Sequence, residues 1–175
     1  MKRTTQSIIG LTLAILSAFF VASANATDPA TANMSVTTAV QDHCIVTANP
    51  LSVGTYDPIV TNGTSGVDLQ GTTTLSVACL NGLHAWIGLS QGSNPNTGST
   101  DTVPLRQMLY GTNKLSYELY QDAGLTTPWG NVQPSSSSYS GTGLYTTVNV
   151  YGKVDKGQNV PSGNYSDLLV VSVNF

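Results

Sequence analysis

Side-chain chemistry needs a nucleophile, a base or a set of metal ligands held in register, and this 175-residue sequence is sparing with all three. A nucleophile-and-base site would draw on its two histidines, His43 and His84, and neither lies in a recognisable motif. His43 abuts a cysteine and His84 opens a strand-like run, positions that suit structural or surface residues. Paired carboxylates for glycoside hydrolysis would have to come from nine scattered acids, of which only Glu118 is a glutamate. Asp57 and Asp68 sit among turn formers. No stretch has metal-ligand spacing, an EF-hand loop or a glycine-rich phosphate loop, so neither a catalytic residue nor a cofactor or metal is expected. The N-x-[ST] triplets at Asn33, Asn62 and Asn164 arise readily in a chain so rich in Asn, Ser and Thr. Among the aromatics, Trp86 and Tyr117 alternate with aliphatic residues and read as core, whereas Trp129 and Tyr139 fall in loop-like sequence where they could contact a sugar.

The two cysteines, Cys44 and Cys79, take their meaning from the N-terminus. Lys2 and Arg3 precede the apolar run IIGLTLAILSAFFVA, which ends at Ala24-Asn25-Ala26, the pattern of a secretory signal peptide over residues 1–26. The run is short for a membrane span, and no span is expected in the mature chain. Removing 26 of the 175 residues leaves 149, enough for one domain with a real core. In an oxidising compartment the cysteine pair is expected to form one disulfide. The mature chain keeps four Lys and Arg against nine acids, a balance of −5, which argues against nucleic acid as a partner.

The elements that must carry these residues are strands. Beyond residue 26 no helical apolar stripe is sustained. Instead β-branched residues and tyrosines recur in short runs between Gly, Pro, Asn and Ser clusters, the signature of an all-β sandwich or barrel. Strands are expected over residues 70–80, 84–90, 115–121, 144–154 and 163–175, with SQGSNPNTGSTDTVP and QPSSSSYSGTG as loops. In the run over 144–154, Leu144, Val148, Val150 and Val154 share one face, which is expected to be the core face. At the C-terminus Leu169, Val171, Val173 and Phe175 alternate with Ser172 and Asn174 in the same way. The N-terminal ATANMSVTTAV also alternates: Ala30, Ala32, Met34, Val36 and Val40 lie on one side with Thr38 as the single polar member of the row, and Thr31, Asn33, Ser35 and Thr37 on the other, a pattern that periodicity alone would equally assign to an ordinary first strand of the sandwich.

Several stretches together resemble the spore coat protein U domain family, which includes the pilin subunits of archaic, Csu-type chaperone–usher pili. They are Cys44-Ile45-Val46, PLSVGTYDP, SVACLNG around Cys79, Arg106-Gln107-Met108, LSYELYQDAGLTTPWG and VYGKVDKGQNVPSGNYSDLLVVSVNF. The resemblance implies an incomplete immunoglobulin-like β-sandwich lacking its last strand, with a disulfide from Cys44 on the first strand to Cys79 on the second. It implies a division into a donor extension over residues 27–38 and a sandwich over 39–175, with the first strand from Ala39 through Cys44. Ala32, Met34, Val36, Thr38 and Val40 are the expected donor residues. Leu169, Val171, Val173 and Phe175 are expected to line a groove bordered by the first strand and by residues 165–175, and to pair with a chaperone. The implied function is that of a structural subunit, not an enzyme, in a surface pilus assembled by donor-strand exchange and serving adhesion or biofilm formation. Its partners would be neighbouring subunits in a head-to-tail polymer, a periplasmic chaperone and an outer-membrane usher, and it would reach the cell surface through the periplasm. The alternatives are a secreted spore or cell-surface coat protein and a carbohydrate-binding minor or tip subunit.

Overall fold

The computed structural model describes residues 29–175, and the expected signal peptide lies outside them. The chain divides into a unit ending at Ala39 and a second unit, Val40–Phe175. In the first, residues 29–39 form no strand or helix and every side chain is exposed.

The second unit carries eight strands: β1 Cys44–Ala48, β2 Leu69–Cys79, β3 His84–Leu89, β4 Arg106–Tyr110, β5 Asn113–Tyr120, β6 Ser137–Ser140, β7 Thr146–Val154 and β8 Val171–Asn174. A five-stranded sheet runs in the order β1-β2-β7-β5-β4 and a three-stranded sheet in the order β6-β3-β8, all antiparallel. The all-β, two-sheet architecture is the one expected from the sequence. Because strand side chains alternate, each strand sends one row between the sheets. Leu75, Val77 and Cys79 come from β2, Ala85, Ile87 and Leu89 from β3, Leu119 from β5 and Val150 from β7, and all are buried. At roughly 1.5–3 kcal/mol for each large aliphatic side chain, this row is the main term holding the sheets together.

Cys44 stands directly opposite Cys79 in the β1–β2 register, and the two are disulfide-bonded. Among the described residues β1 is hydrogen-bonded to β2 alone, so the bond pins an edge strand to the sheet. The expected first strand, residues 39–44, is corrected to Cys44–Ala48. β2 ends at Cys79, and after Leu80 donates to the His43 carbonyl the chain turns away at Asn81-Gly82, leaving residues 39–42 no strand to pair with.

Other expectations need correction as well. The terminal strand is shorter than residues 163–175, with only Val171–Asn174 in the β3 ladder. Ser166 makes an isolated bridge to Leu109 and Val170 bonds to Ser90, so this segment passes from the edge of one sheet to the other. The serine-rich stretch expected to be a loop holds β6, which pairs with β3 through its backbone. Leu144 precedes β7 and is exposed.

Trp86 faces outward on β3 and is half-exposed, whereas the loop residue Trp129 is wholly buried, its indole N–H donating to the Ile87 carbonyl at 2.8 Å. Tyr139 lies on β6 and donates to the Val77 carbonyl. Neither Trp129 nor Tyr139 forms the exposed aromatic platform that a sugar would stack on.

Beside Trp129, the buried Arg106 guanidinium pairs with Glu118 and donates to the carbonyls of Leu89, Ser90 and Trp129. Burial pushes the Glu118 carboxyl above the usual carboxylate range and the guanidinium below its own. The pair is held by its hydrogen bonds across the sandwich, since taking both charges out of water is costly by itself.

Candidate functional site: an apolar groove between two open strand edges

β1 and β8 come within 8 Å of each other between Cα atoms, and it is between the segment after β1 and the segment before β8 that the sandwich is open. A cleft of about 440 Å³ is walled on one side by residues 48–53 and on the other by residues 165–171. Its floor is the core itself: Leu75 of β2, Leu89 of β3, Leu119 of β5 and Val150 of β7. It continues past Leu51, Val53, Met108 and Tyr165 into a second cleft of about 670 Å³, lined by Tyr56, Leu69 and Leu115 on one side and residues 160–165 on the other. Together they form one long groove.

Backbone geometry builds the first wall. Gly71 of β2 and Gly152 of β7 face each other in register, and the segment after β1 lies over them. A Cβ on Gly71 would stand 2.9 Å from the Ser52 carbonyl oxygen, and one on Gly152 would stand 2.6 Å from Leu51 Cδ2. Only glycines let residues 51–53 approach the sheet this closely. The Asp57 carboxylate fixes the turn that follows by accepting the amides of Ile59 and Val60, and these bonds, Ile59 first, hold its pKa below the ordinary value. Asp68, also expected in a turn, accepts the Lys156 amide.

The second wall presents an open hydrogen-bonding edge. Ser166 exchanges both backbone bonds with Leu109, and the Val170 carbonyl accepts from Ser90. Leu89 donates to the Gly130 carbonyl, so its partner Val171 occupies a non-hydrogen-bonded position with its own N–H and C=O turned away from β3. By the same alternation the backbone groups of Asp167 and Leu169 face the open side, where no described strand pairs with them. On β1, the bonds made by His43 and Asn49 to β2 likewise leave the backbone groups of Cys44, Val46 and Ala48 on the free edge. Two unpaired edges border one apolar trough, which is an aggregation liability unless it is filled.

Of the residues singled out from sequence, Leu169, Val171 and Val173 are half-buried against the core, and the first two line the groove. Phe175 lies beyond β8 and is mostly exposed. Ala32 and Thr38 are exposed, as are Met34, Val36 and Val40 at 84%, 81% and 78% of their surface. Cys44 and Cys79 are joined.

Sequence reasoning missed most of the first wall, although it lies within the quoted PLSVGTYDP. It also missed the polar spot in the groove. There Tyr117 donates its hydroxyl to Asp167 Oδ2 at 2.7 Å, while Asp167 Oδ1 accepts from the Ser93 amide and Asn94 Nδ2. Burial, then the bond to Asp167, pushes the Tyr117 phenol well above its usual pKa, so it remains a donor. The signal was present in the sequence: Asp167 interrupts an otherwise apolar row leading to Val173.

Fold and groove together define a disulfide-pinned β-sandwich domain whose core is open along one seam. The chain belongs to the Spore Coat Protein U domain family, whose pattern matches residues 30–172. Protein U of Myxococcus xanthus is 44% identical over 152 residues, covering 83% of this chain and 85% of that protein. Among solved structures, similarity extends to the CsuC–CsuE chaperone–tip adhesion subunit pre-assembly complex from archaic chaperone-usher Csu pili of Acinetobacter baumannii. The TM-score there is 0.48 at 18% identity, over 78% of this chain and 40% of that one.

Proposed function

We propose that this protein is a structural subunit, not an enzyme, of a surface pilus built through the chaperone–usher pathway. Its open groove accepts the N-terminal extension of a neighbouring copy as the missing strand. The observation that carries this reading is the pairing of an apolar trough between unpaired edges with an exposed extension whose apolar side chains recur at every second residue. Ala32, Met34, Val36, Thr38 and Val40 are the donor row, and Leu169, Val171 and Val173 are the acceptor row. Burying Met34, Val36 and Val40 contributes about 5–9 kcal/mol before the backbone ladder is counted. Such a contact is heterologous and does not close on itself, so it propagates head to tail into a fibre.

During export a periplasmic chaperone strand would fill the same groove, and an outer-membrane usher would exchange it for the next subunit. The assembled fibre would then serve adhesion or biofilm formation at the cell surface. A second reading, a secreted coat protein using the same exchange, is favoured by the family description and by the likeness to Protein U.

The test adds a synthetic peptide of residues 29–40 to the purified protein. The expected result is that a chain aggregating alone becomes soluble and melts at higher temperature, while a peptide with its odd and even residues interchanged has no effect. Equal response to both peptides, or to neither, refutes the reading. Whether the native assembly is a fibre or a shell then separates pilus from coat.

A further inference from the structure

Two largely apolar rows, one holding a single carboxylate at Asp167 and the other a single hydroxyl at Thr38, would meet in the groove. We infer that the Thr38 hydroxyl of the incoming extension hydrogen-bonds to Asp167 and thereby sets the register of strand exchange. This inference rests on the donor-strand reading above.

The acceptor row runs Tyr165, Asp167, Leu169, Val171, Val173, all half-buried. The donor row runs Ala32, Met34, Val36, Thr38, Val40, with every second side chain on one face. If the donor runs antiparallel to the terminal segment, the outward-facing backbone groups of the odd acceptor residues make each a hydrogen-bonded pair with its donor partner, and burying the even donor row in the trough puts even residues opposite them. That condition leaves registers two residues apart equally allowed by the backbone, because a shift of two keeps the same donor side chains on the buried face. One register alone places Thr38 opposite Asp167, and it also sets Val40 against Tyr165, Val36 against Leu169, Met34 against Val171 and Ala32 against Val173. A slip of two residues in either direction drives Val36 or Val40 against the carboxylate and leaves the threonine hydroxyl against hydrocarbon.

Asp167 has the capacity to take this bond. A carboxylate offers about four acceptor positions, and Tyr117, Ser93 and Asn94 occupy three of them. One position remains on Oδ2, and Asp167 and Tyr117 both line the groove from which a donor hydroxyl would enter. A lone polar pair in an apolar seam fixes alignment in this way in coiled coils, where the apolar contacts alone would not.

The experiment uses full-length polymers, with the Cys44–Cys79 disulfide formed, that carry Met34→Cys together with Val171→Cys. Directly opposed strand residues lie within disulfide reach, so the expected result is a covalent ladder on non-reducing gels. The pairs Met34→Cys with Leu169→Cys and Met34→Cys with Val173→Cys report the two slipped registers and should cross-link weakly. Adding Thr38→Val should lower the ratio of in-register to slipped cross-links by roughly tenfold or more, as for loss of a hydrogen bond to a charged group, and Thr38→Ser should preserve it. Thr38 is exposed and outside the sandwich, so these changes leave the fold intact. Equal or stronger ladders from a slipped pair, or a ratio unchanged by Thr38→Val, overturn the register assignment while leaving strand donation standing. Polymers that cross-link in no register overturn both.

Discussion

Placing a charge on the inward row of the extension tests strand donation without touching the acceptor. Val36 is 81% exposed and lies outside every strand of the subunit, so Val36→Asp should leave thermal unfolding of the unassembled protein unchanged. In the polymer the same residue would face Leu169 above a floor of Leu75, Leu89 and Leu119. Losing the valine forfeits about 1.5–3 kcal/mol of apolar burial. An aspartate there has no cationic partner, and keeping it neutral at pH 7 against an ordinary pKa near 3.9 costs about 4 kcal/mol more. The combined loss, about 6 kcal/mol, corresponds to roughly four orders of magnitude in the exchange equilibrium. The assay is polymer length on unboiled SDS gels after release from chaperone. Thr37→Asp, one residue along on the opposite face, serves as the matched control and should polymerise nearly as well as wild type. Long SDS-resistant polymers from Val36→Asp, or equal failure of both variants, would refute the reasoning.

Three further outcomes follow from the fold. Cys44→Ser removes a bond across 35 residues of sequence and should lower stability by about 4 kcal/mol in the chain-entropy account, reducing recovery from an oxidising compartment; equal urea midpoints for wild type and variant would contradict this. Arg106→Ala strands the Glu118 carboxylate and three carbonyls in the interior and should cost about 3–5 kcal/mol in denaturant titration, more than Lys114→Ala at an exposed site on β5. Gly152→Ala drives a methyl group against Leu51, so the first wall must shift, and affinity for the 29–40 peptide should fall by more than stability does, as read by peptide titration beside thermal melts.

Much of the β architecture could be read in the sequence because burial imposes a period of two. β2, β3, β5 and β7 each alternate over enough residues to declare a strand, and Val148, Val150 and Val154 of β7 declare its inward face, whereas Trp86 of β3, read as core, faces outward; the disulfide followed from two cysteines behind an export signal. β4 and β6 carry no such pattern. Ser137–Ser140 is a strand because β3 offers backbone partners there, a fact of the neighbouring chain that serines do not encode. The terminal segment alternates over the seven residues 169–175 yet pairs with β3 over only four.

The groove divides the same way. Its two apolar rows were evident as rows, because alternation is local and survives without a fold. That residues 48–53 would wall it depends on Gly71 meeting Gly152 across two strands separated by some eighty residues, a coincidence of register that no local pattern carries. Trp129 shows the reverse case. Its neighbours spell a loop, and only the gap between two sheets, with the Ile87 carbonyl waiting for its indole N–H, makes it core. The sequence by itself determined which faces are apolar and that one such face, the extension, has no place in a local pattern. The tertiary structure decided where the sandwich is left open, because an unpaired edge is defined by the absence of a neighbour, and neighbours are assigned only when the sheets assemble.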